Sequence, residues 1–151
     1  MAKTAKTKLK TAAPTLLPRS KVPQQDQWDL TPLFPTDAAW EKEFSWWESE
    51  IPGYAKFKGT LASGPDAIAA ALRFEADLER RVEKLGNYAS LRATGDNAEP
   101  RAQRMKGRFS LLSAPTNEAA SFLRPELLAI PESNMNKFVT TTALAPSARK
   151  R

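Results

Sequence analysis

Apolar residues recur at helical spacing just after the proline-rich start of the chain. The first set comprises Trp40, Phe44, Trp47 and Ile51. Their spacings of four, three and four residues place them on one face of an α-helix. Thr36 or Asp37 can cap this helix, and Pro52 with Gly53 ends it. The pattern therefore predicts a helix that begins at Ala38 and buries one aromatic stripe.

Trp46 does not share that stripe, because at about 100° per residue it lies well over a third of a turn away. Two explanations remain open. Either the proline-rich segment before the helix or another local loop covers the ring, or Trp46 belongs to an interface with another surface.

A much longer helical pattern follows Ser63, which is a good N-cap residue, and Pro65 is tolerated in the first turn. Its apolar stripe comprises Ile68, Ala71, Leu72, Leu78, Val82, Leu85, Tyr88 and Ala89. Asp77 is placed to pair with Arg81 on the wet side. Gly95 is a natural C-cap, so we predict a helix over about 65–93.

A third helix is predicted to begin near Pro100, after a polar turn. Its seam comprises Met105, Phe109, Leu112, Thr116, Ala119 and Leu123. Pro115 lacks an amide donor, so the helix should kink or break near Leu111–Pro115, and the unbroken apolar phase favours a kink. The stretch "RPELLAIPE" predicts one further short helix. The fold class is therefore all-α, an antiparallel helical hairpin or bundle of three to four helices.

The segment before the first helix, residues 28–34, is stiffened by Pro32 and is called the strap below. Its apolar residues, Trp28, Leu30, Leu33 and Phe34, should bury against the helices. We divide the chain into a disordered basic tail (1–21), a helical domain (22–132) and an irregular basic tail (133–151).

Charge and composition narrow the functional classes. The net charge is +6, yet residues 22–132 hold 13 basic residues against all 17 acids, a net charge of −4. Since the excess positive charge lies in the two tails, which lack interleaved aromatic residues, we do not expect nucleic acid as a partner. No apolar run is long enough to span a membrane, so no membrane partner is expected either.

The chain contains no histidine and no cysteine. It therefore lacks the commonest general base, the thiol nucleophile and the preferred zinc ligands. Glu41 and Glu48 share a helix face near Ser45, but solvated surface charge explains this pattern better than paired-carboxylate hydrolysis. We expect no catalytic residue, no metal ligand and no cofactor in this chain.

An ordered series of motifs resembles the start of the oligoendopeptidase F family of zinc metallopeptidases. The series comprises Trp28-Asp29-Leu30, Leu33-Phe34, Trp40, "FKGTL" at 57–61, "YASL" at 88–91 and "PELLAIPE" at 125–132. The resemblance implies a mostly helical N-terminal segment that helps to enclose a catalytic domain cleaving short peptides. That domain carries an H-E-x-x-H helix, which a chain without histidine cannot contain.

The resemblance thus implies a non-catalytic N-terminal domain, and we expect a cytoplasmic, truncated or fragment product without activity alone. Its expected partner is the catalytic domain of the same family, or a second copy by self-association. The alternative is a stand-alone helical protein-interaction module. The candidate interface residues are Trp46, Trp28, Phe34 and Pro115.

Overall fold

The computed structural model describes residues 19–144, which form five α-helices joined by short turns. The helices are α1 (Asp37–Glu50), α2 (Pro65–Gly95), α3 (Pro100–Ala120), α4 (Leu123–Ala129) and α5 (Glu132–Phe138). Short 3-10 turns cover Arg19–Lys21, Gln24–Asp26, Ile51–Phe57 and Leu61–Ser63. Within the described range there is no strand, so the predicted all-α class is confirmed.

Helix α1 begins as the sequence predicts. The Thr36 hydroxyl accepts a hydrogen bond from the Ala39 amide at 3.1 Å, and this contact satisfies one of the free donors of the first turn. Trp40 and Trp47 are fully buried, and Phe44 lies between them. The Trp40 indole Nε1–H donates to the Leu85 carbonyl at 2.9 Å, which fixes α1 against α2.

Helices α2 and α3 form the predicted hairpin around the four-residue turn 96–99. Gly86 lies at a close approach of the two helices, because a Cβ atom there would lie 2.7 Å from Cζ of Phe109. Phe109 packs in turn on Trp47, with ring centroids 5.2 Å apart. The three long helices therefore share one core, which runs along the inner faces of α1, α2 and α3.

Four details of α2 differ from the prediction, the first being that the helix includes the predicted C-cap Gly95 and has Asp96 as its C-cap. Its N-cap is Gly64 at φ 152°, which only glycine adopts readily, whereas the Ser63 hydroxyl donates to the Thr60 carbonyl. Leu72 is exposed, whereas Ala71 lies on the buried face of the helix. The side chains of adjacent helical residues point about 100° apart, so the two cannot share that face. Asp77 pairs with Arg80 rather than with Arg81, which reaches across to α1.

Helix α3 is continuous through Pro115, so a break there, one of the two predicted alternatives, is wrong. Pro115 lies on an exposed face beside Leu111, four residues earlier, which is 77% exposed. Thr116 is buried, and its hydroxyl donates to the Leu112 carbonyl at 2.8 Å. The predicted seam is buried or partly buried at each of its positions, but Leu123, its last residue, belongs to α4 and not to α3.

The sequence predicts an irregular segment from residue 133 onward. This prediction is wrong for residues 133–138, which belong to α5. Pro131 precedes this helix, and Met135 and Phe138, three residues apart, pack against the core. The sequence showed too short an apolar period for this helix to be recognised. Arg19–Lys21, assigned to the basic tail, form a 3-10 turn, whereas tail residues 1–18 and 145–151 lie outside the described range.

The strap packs on the helices through three of its four apolar residues. Leu30, Leu33 and Phe34 contact the core, and the Phe34 ring meets Tyr88 edge-on with centroids 5.4 Å apart. Trp28 does not bury as expected and is 58% exposed. In the part of the chain that is described, no helix is long and apolar enough to cross a bilayer.

Candidate functional site

The four candidate interface residues occupy three separate places. Trp28 and Phe34 border one groove of about 1130 Å³ between the strap and the C-terminal part of α2. Trp46 lies on α1 and Pro115 on α3, and neither lines that groove. The structure therefore does not combine these residues into one patch.

An arginine of α2 covers one face of the Trp46 ring. The Arg81 guanidinium carbon lies 3.0 Å from the centroid of the Trp46 ring. The same guanidinium forms two hydrogen bonds with the Glu43 carboxylate, one of them 2.9 Å long. Since Glu43 is on α1, the arginine stacks on one side chain of α1 while it pairs with another. Arg81 thus covers Trp46 through a cation–π contact, which neither of the two explanations named.

Beside the groove, whose lining includes Tyr88 and Arg92, Asp37 joins the start of α1 to α2. Its carboxylate accepts hydrogen bonds from the Tyr88 hydroxyl at 2.8 Å and from Arg92 at 2.9 Å, with Arg101 3.4 Å away. Burial acts to raise the pKa of Asp37, but these donors and positive charges outweigh it, and the pKa lies below its usual range. Burial also raises the pKa of Tyr88 to about 12. This cluster joins α1 to α2, and the Asp37 carboxylate within it is engaged by hydrogen-bond donors.

A second space, which we call the acidic crevice, opens between α2 and α3 and has a volume of about 410 Å³. Its floor includes Trp47 and Tyr54, and one wall carries Glu75, Glu79 and Glu83. The opposite wall, on α3, is built of small residues: Ser113, Thr116, Asn117 and Ala120. These small side chains leave the space that the glutamates border.

Two polar atoms at this crevice have no hydrogen-bond partner among the described residues. They are the indole Nε1 of Trp47 and Oε2 of Glu75. Burial raises the pKa of Glu75, and the charge of Glu79 adds to that effect, although the Tyr54 hydroxyl acts in the opposite direction. Burial and the Glu75 carboxylate together raise the pKa of Tyr54 well above its usual value.

The sequence contains a signal for Glu75 that the apolar stripe did not reveal. Spacings of four and three link Ala71, Glu75, Leu78, Val82, Leu85 and Ala89. Glu75 is the one charged residue of this seam, at a position where a helix that packs on a neighbour needs an apolar side chain. A charge in an otherwise apolar seam therefore identifies the crevice residue.

Two of the motif segments meet in space. The Gly59 amide of "FKGTL" donates to the Glu126 carboxylate of "PELLAIPE" at 2.7 Å. Gly59 has a φ of 78°, a conformation that favours glycine. These motif residues therefore fix a loop to α4, which is a structural role.

The remaining carboxylates give no catalytic arrangement. Glu41 accepts two hydrogen bonds from Arg108, at 2.7 and 2.8 Å, so it is part of a surface ion pair between α1 and α3. Among residues 19–144 no group of three or more acidic side chains is placed to hold a metal ion. The donor set of this chain, without imidazole or thiolate, does not fit a zinc centre of the kind the resemblance implies.

Comparison with known proteins confirms the resemblance. The chain is 33% identical over 121 residues to oligopeptidase PepF of Bacillus subtilis. The aligned region covers 80% of this chain and 18% of the relative. It is 28% identical over 122 residues to the plasmid-encoded oligoendopeptidase F of Lactococcus lactis, covering 80% of this chain and 20% of that protein. No family model matches the chain. The chain thus spans about a fifth of the length of these relatives.

The fold is also similar to part of a solved structure. The crystal structure of a candidate peptidase from Chlamydophila abortus matches 87% of this chain and 22% of its own chain. The TM-score is 0.79 at 25% sequence identity. The described helices therefore have the arrangement of one segment within a much larger protein.

Proposed function

We propose that this chain, similar to about a fifth of proteins named oligoendopeptidase F, is a non-catalytic N-terminal helical domain of such a zinc metallopeptidase. Its function is to pack against the part of the peptidase that holds the zinc and cleaves short peptides. It has no peptidase activity alone and acts in the cytoplasm. The observation that carries this proposal is a helical fold shared with a peptidase segment in a chain without histidine.

The donor set supports the non-catalytic assignment. An H-E-x-x-H centre needs two imidazole ligands one helical turn apart and a glutamate that activates water. This chain has no imidazole. Two of its partly buried carboxylates form ion pairs with arginines, Asp37 with Arg92 and Glu43 with Arg81. Carboxylates paired in this way are held ionised and are not free to transfer protons near neutral pH.

Exposed apolar surface supports a packing role. Leu111 is 77% exposed, and Pro115 lies one turn further along the same face of α3. Trp28, at 58%, and Leu128, at 75%, add apolar surface in the strap and in α4. We assign this exposed apolar surface to contact with the rest of the peptidase. A second copy of the chain is the other partner that could cover them.

The alternative, a stand-alone helical interaction module, makes a different prediction about activity. A module would bind a separate protein without completing an enzyme. The test is therefore co-expression of this chain with the Bacillus subtilis relative from which the matching segment has been deleted.

We expect the two polypeptides to co-purify and to hydrolyse a quenched peptide substrate, whereas the deleted relative alone is inactive. The matched control is Leu111→Asp, which places a charge on the exposed α3 face and should weaken the association. Its counterpart Glu48→Gln changes an exposed charge on α1 and should leave the association unchanged. If the co-expressed chain neither co-purifies with the relative nor restores hydrolysis, the proposal is wrong.

A further inference from the structure

We propose that the acidic crevice between α2 and α3 receives an arginine or lysine side chain of a polypeptide. The cationic head group pairs with Glu75, and a peptide carbonyl of the same segment accepts a hydrogen bond from Trp47 Nε1–H. The inference rests on the proposed function in one respect: the polypeptide is the remaining part of the peptidase.

The first support is the position of Glu75. It occupies a seam position of α2, between Ala71 and Leu78, where an apolar residue would pack on α3. In place of such packing, the facing wall of α3 has the small residues Ser113 and Ala120. Two helices that pack closely normally carry apolar residues at facing positions, whereas here α2 carries a charged residue and α3 carries small ones. Such a local departure from the rule is characteristic of functional sites.

The second support is the unpaired indole. Trp47 is fully buried, yet its Nε1–H has no acceptor among the described residues. Trp40, on the same face of α1, does have one, because its Nε1–H donates to the Leu85 carbonyl. Buried donors without a partner are rare in folded proteins. Trp47 lines the crevice, which places the indole beside a space that a bound group could occupy.

The third support is charge. Glu75, Glu79 and Glu83 follow one another at spacings of four residues along α2, an arrangement in which like charges repel. None of the residues that line the crevice is basic. Arg80 and Arg81, on the same helix, are bound to Asp77 and Glu43 instead. The negative charge of this wall is therefore not balanced by a residue that lines the crevice, and a bound cation would balance it.

The ligand class follows from the acidic wall together with the two unpaired atoms. Oε2 of Glu75 needs a donor, and Nε1 of Trp47 needs an acceptor. A metal ion would satisfy the carboxylate alone, and an anion would satisfy the indole alone. An arginine or lysine residue within a peptide supplies both, since its side chain donates and its backbone carbonyl accepts. A volume of about 410 Å³ lies in the range of sites for small ligands.

The experiment uses the full chain labelled with ¹⁵N and follows its four indole Nε1–H signals. The probe is an acetylated and amidated tripeptide with arginine between two alanines, added to about 10 mM, because single-residue contacts bind in the millimolar range. Its matched control contains citrulline, which has the shape of arginine without the charge. We expect a saturable shift of the Trp47 signal with the arginine peptide, and binding about tenfold weaker with the citrulline peptide.

Two variants and one further probe complete the test. Glu75→Gln should weaken binding of the arginine peptide about tenfold, whereas Glu48→Gln, on the exposed side of α1, should leave it unchanged. The inference is overturned if Trp47 does not shift, if the citrulline peptide binds equally well, or if both variants behave alike. Butylguanidinium, which has the cation but no carbonyl, binding as tightly as the peptide would overturn the polypeptide assignment. Because these measurements need no peptidase, their failure is distinguishable from failure of the proposed function.

Discussion

The Arg81 guanidinium lies 3.0 Å from the centroid of the Trp46 ring, and the same group is hydrogen-bonded to Glu43 one helical turn before the tryptophan. This relationship explains the one tryptophan that the apolar stripe of α1 leaves out. Trp46 is half-buried beneath a charge from α2. The contact therefore joins α1 to α2 at the edge of the apolar core.

Replacing Arg81 by alanine should lower the free energy of unfolding by about 1–2 kcal/mol, since it removes the contact with Trp46 and the partly exposed pair with Glu43. Urea unfolding followed by tryptophan emission measures the effect. The neighbouring Arg80→Ala, which removes an ion pair exposed on both sides, should cost less than about 0.5 kcal/mol. Equal losses for the two variants would show that the contact with Trp46 contributes nothing.

Two glycines should respond oppositely to the same substitution. Gly86→Ala places a methyl group 2.7 Å from Phe109, whose ring is held against Trp47, so it should lower the free energy of unfolding by about 1–3 kcal/mol. Gly107→Ala lies in α3 with nothing within 4 Å and should raise it by about 0.5–1 kcal/mol through helix propensity. Thermal unfolding of both variants measures the difference. A stabilising Gly86→Ala would contradict the close approach of α2 and α3.

Asp37 gives the stability a defined dependence on pH. Its pKa is lowered in the folded state, so its contribution is present above the usual value of 3.8 and is lost as pH falls through the folded pKa. Asp37→Asn should cost about 2 kcal/mol at pH 7 and progressively less below pH 3.8. Asp66→Asn, at an exposed first-turn position of α2, should cost a few tenths of a kcal/mol. The measurement is urea unfolding at several pH values, and a pH-independent cost for Asp37→Asn would contradict the assignment.

Glu75 should show the opposite dependence. Because its pKa is raised in the folded state, its favourable contribution is present below the usual 4.5 and is lost as pH rises through the folded pKa. Glu75→Gln should therefore stabilise the chain at pH 7 by about 0.5 kcal/mol, through relief of repulsion from Glu79, and should have no such advantage at pH 3. Urea unfolding at both pH values measures this, with Glu48→Gln as the control. A loss of stability at pH 7 would mean that Glu75 is already satisfied within the chain.

The long helices could be predicted because their apolar spacings are regular and their ends have strong signals. Thr36 and Pro100 begin α1 and α3 as expected. The sequence does not predict helix α5, since two apolar residues within seven positions are too few to define a helical period. The N-cap of α2 was misassigned because Ser63 and Gly64 are both suitable, and only the backbone conformation decides between them.

The site was harder to predict than the fold. The sequence shows which residues lie on one helix face. It does not show that Arg81 pairs with Glu43 on α1, so that Asp77 pairs with Arg80. It also cannot show that Trp47 lacks an acceptor while Trp40 has one, because that depends on how α1 lies across α2. The seam position of Glu75 was the one local signal for the crevice.

The central claim, that this chain is a non-catalytic part of a zinc peptidase, is tested most directly on the purified chain alone. The measurement combines the zinc content after dialysis against zinc with hydrolysis of a quenched peptide substrate. With no histidine or cysteine available, we predict far less than one zinc per chain and no zinc-dependent hydrolysis. One bound zinc per chain, together with peptide cleavage that a chelator abolishes, would contradict the claim.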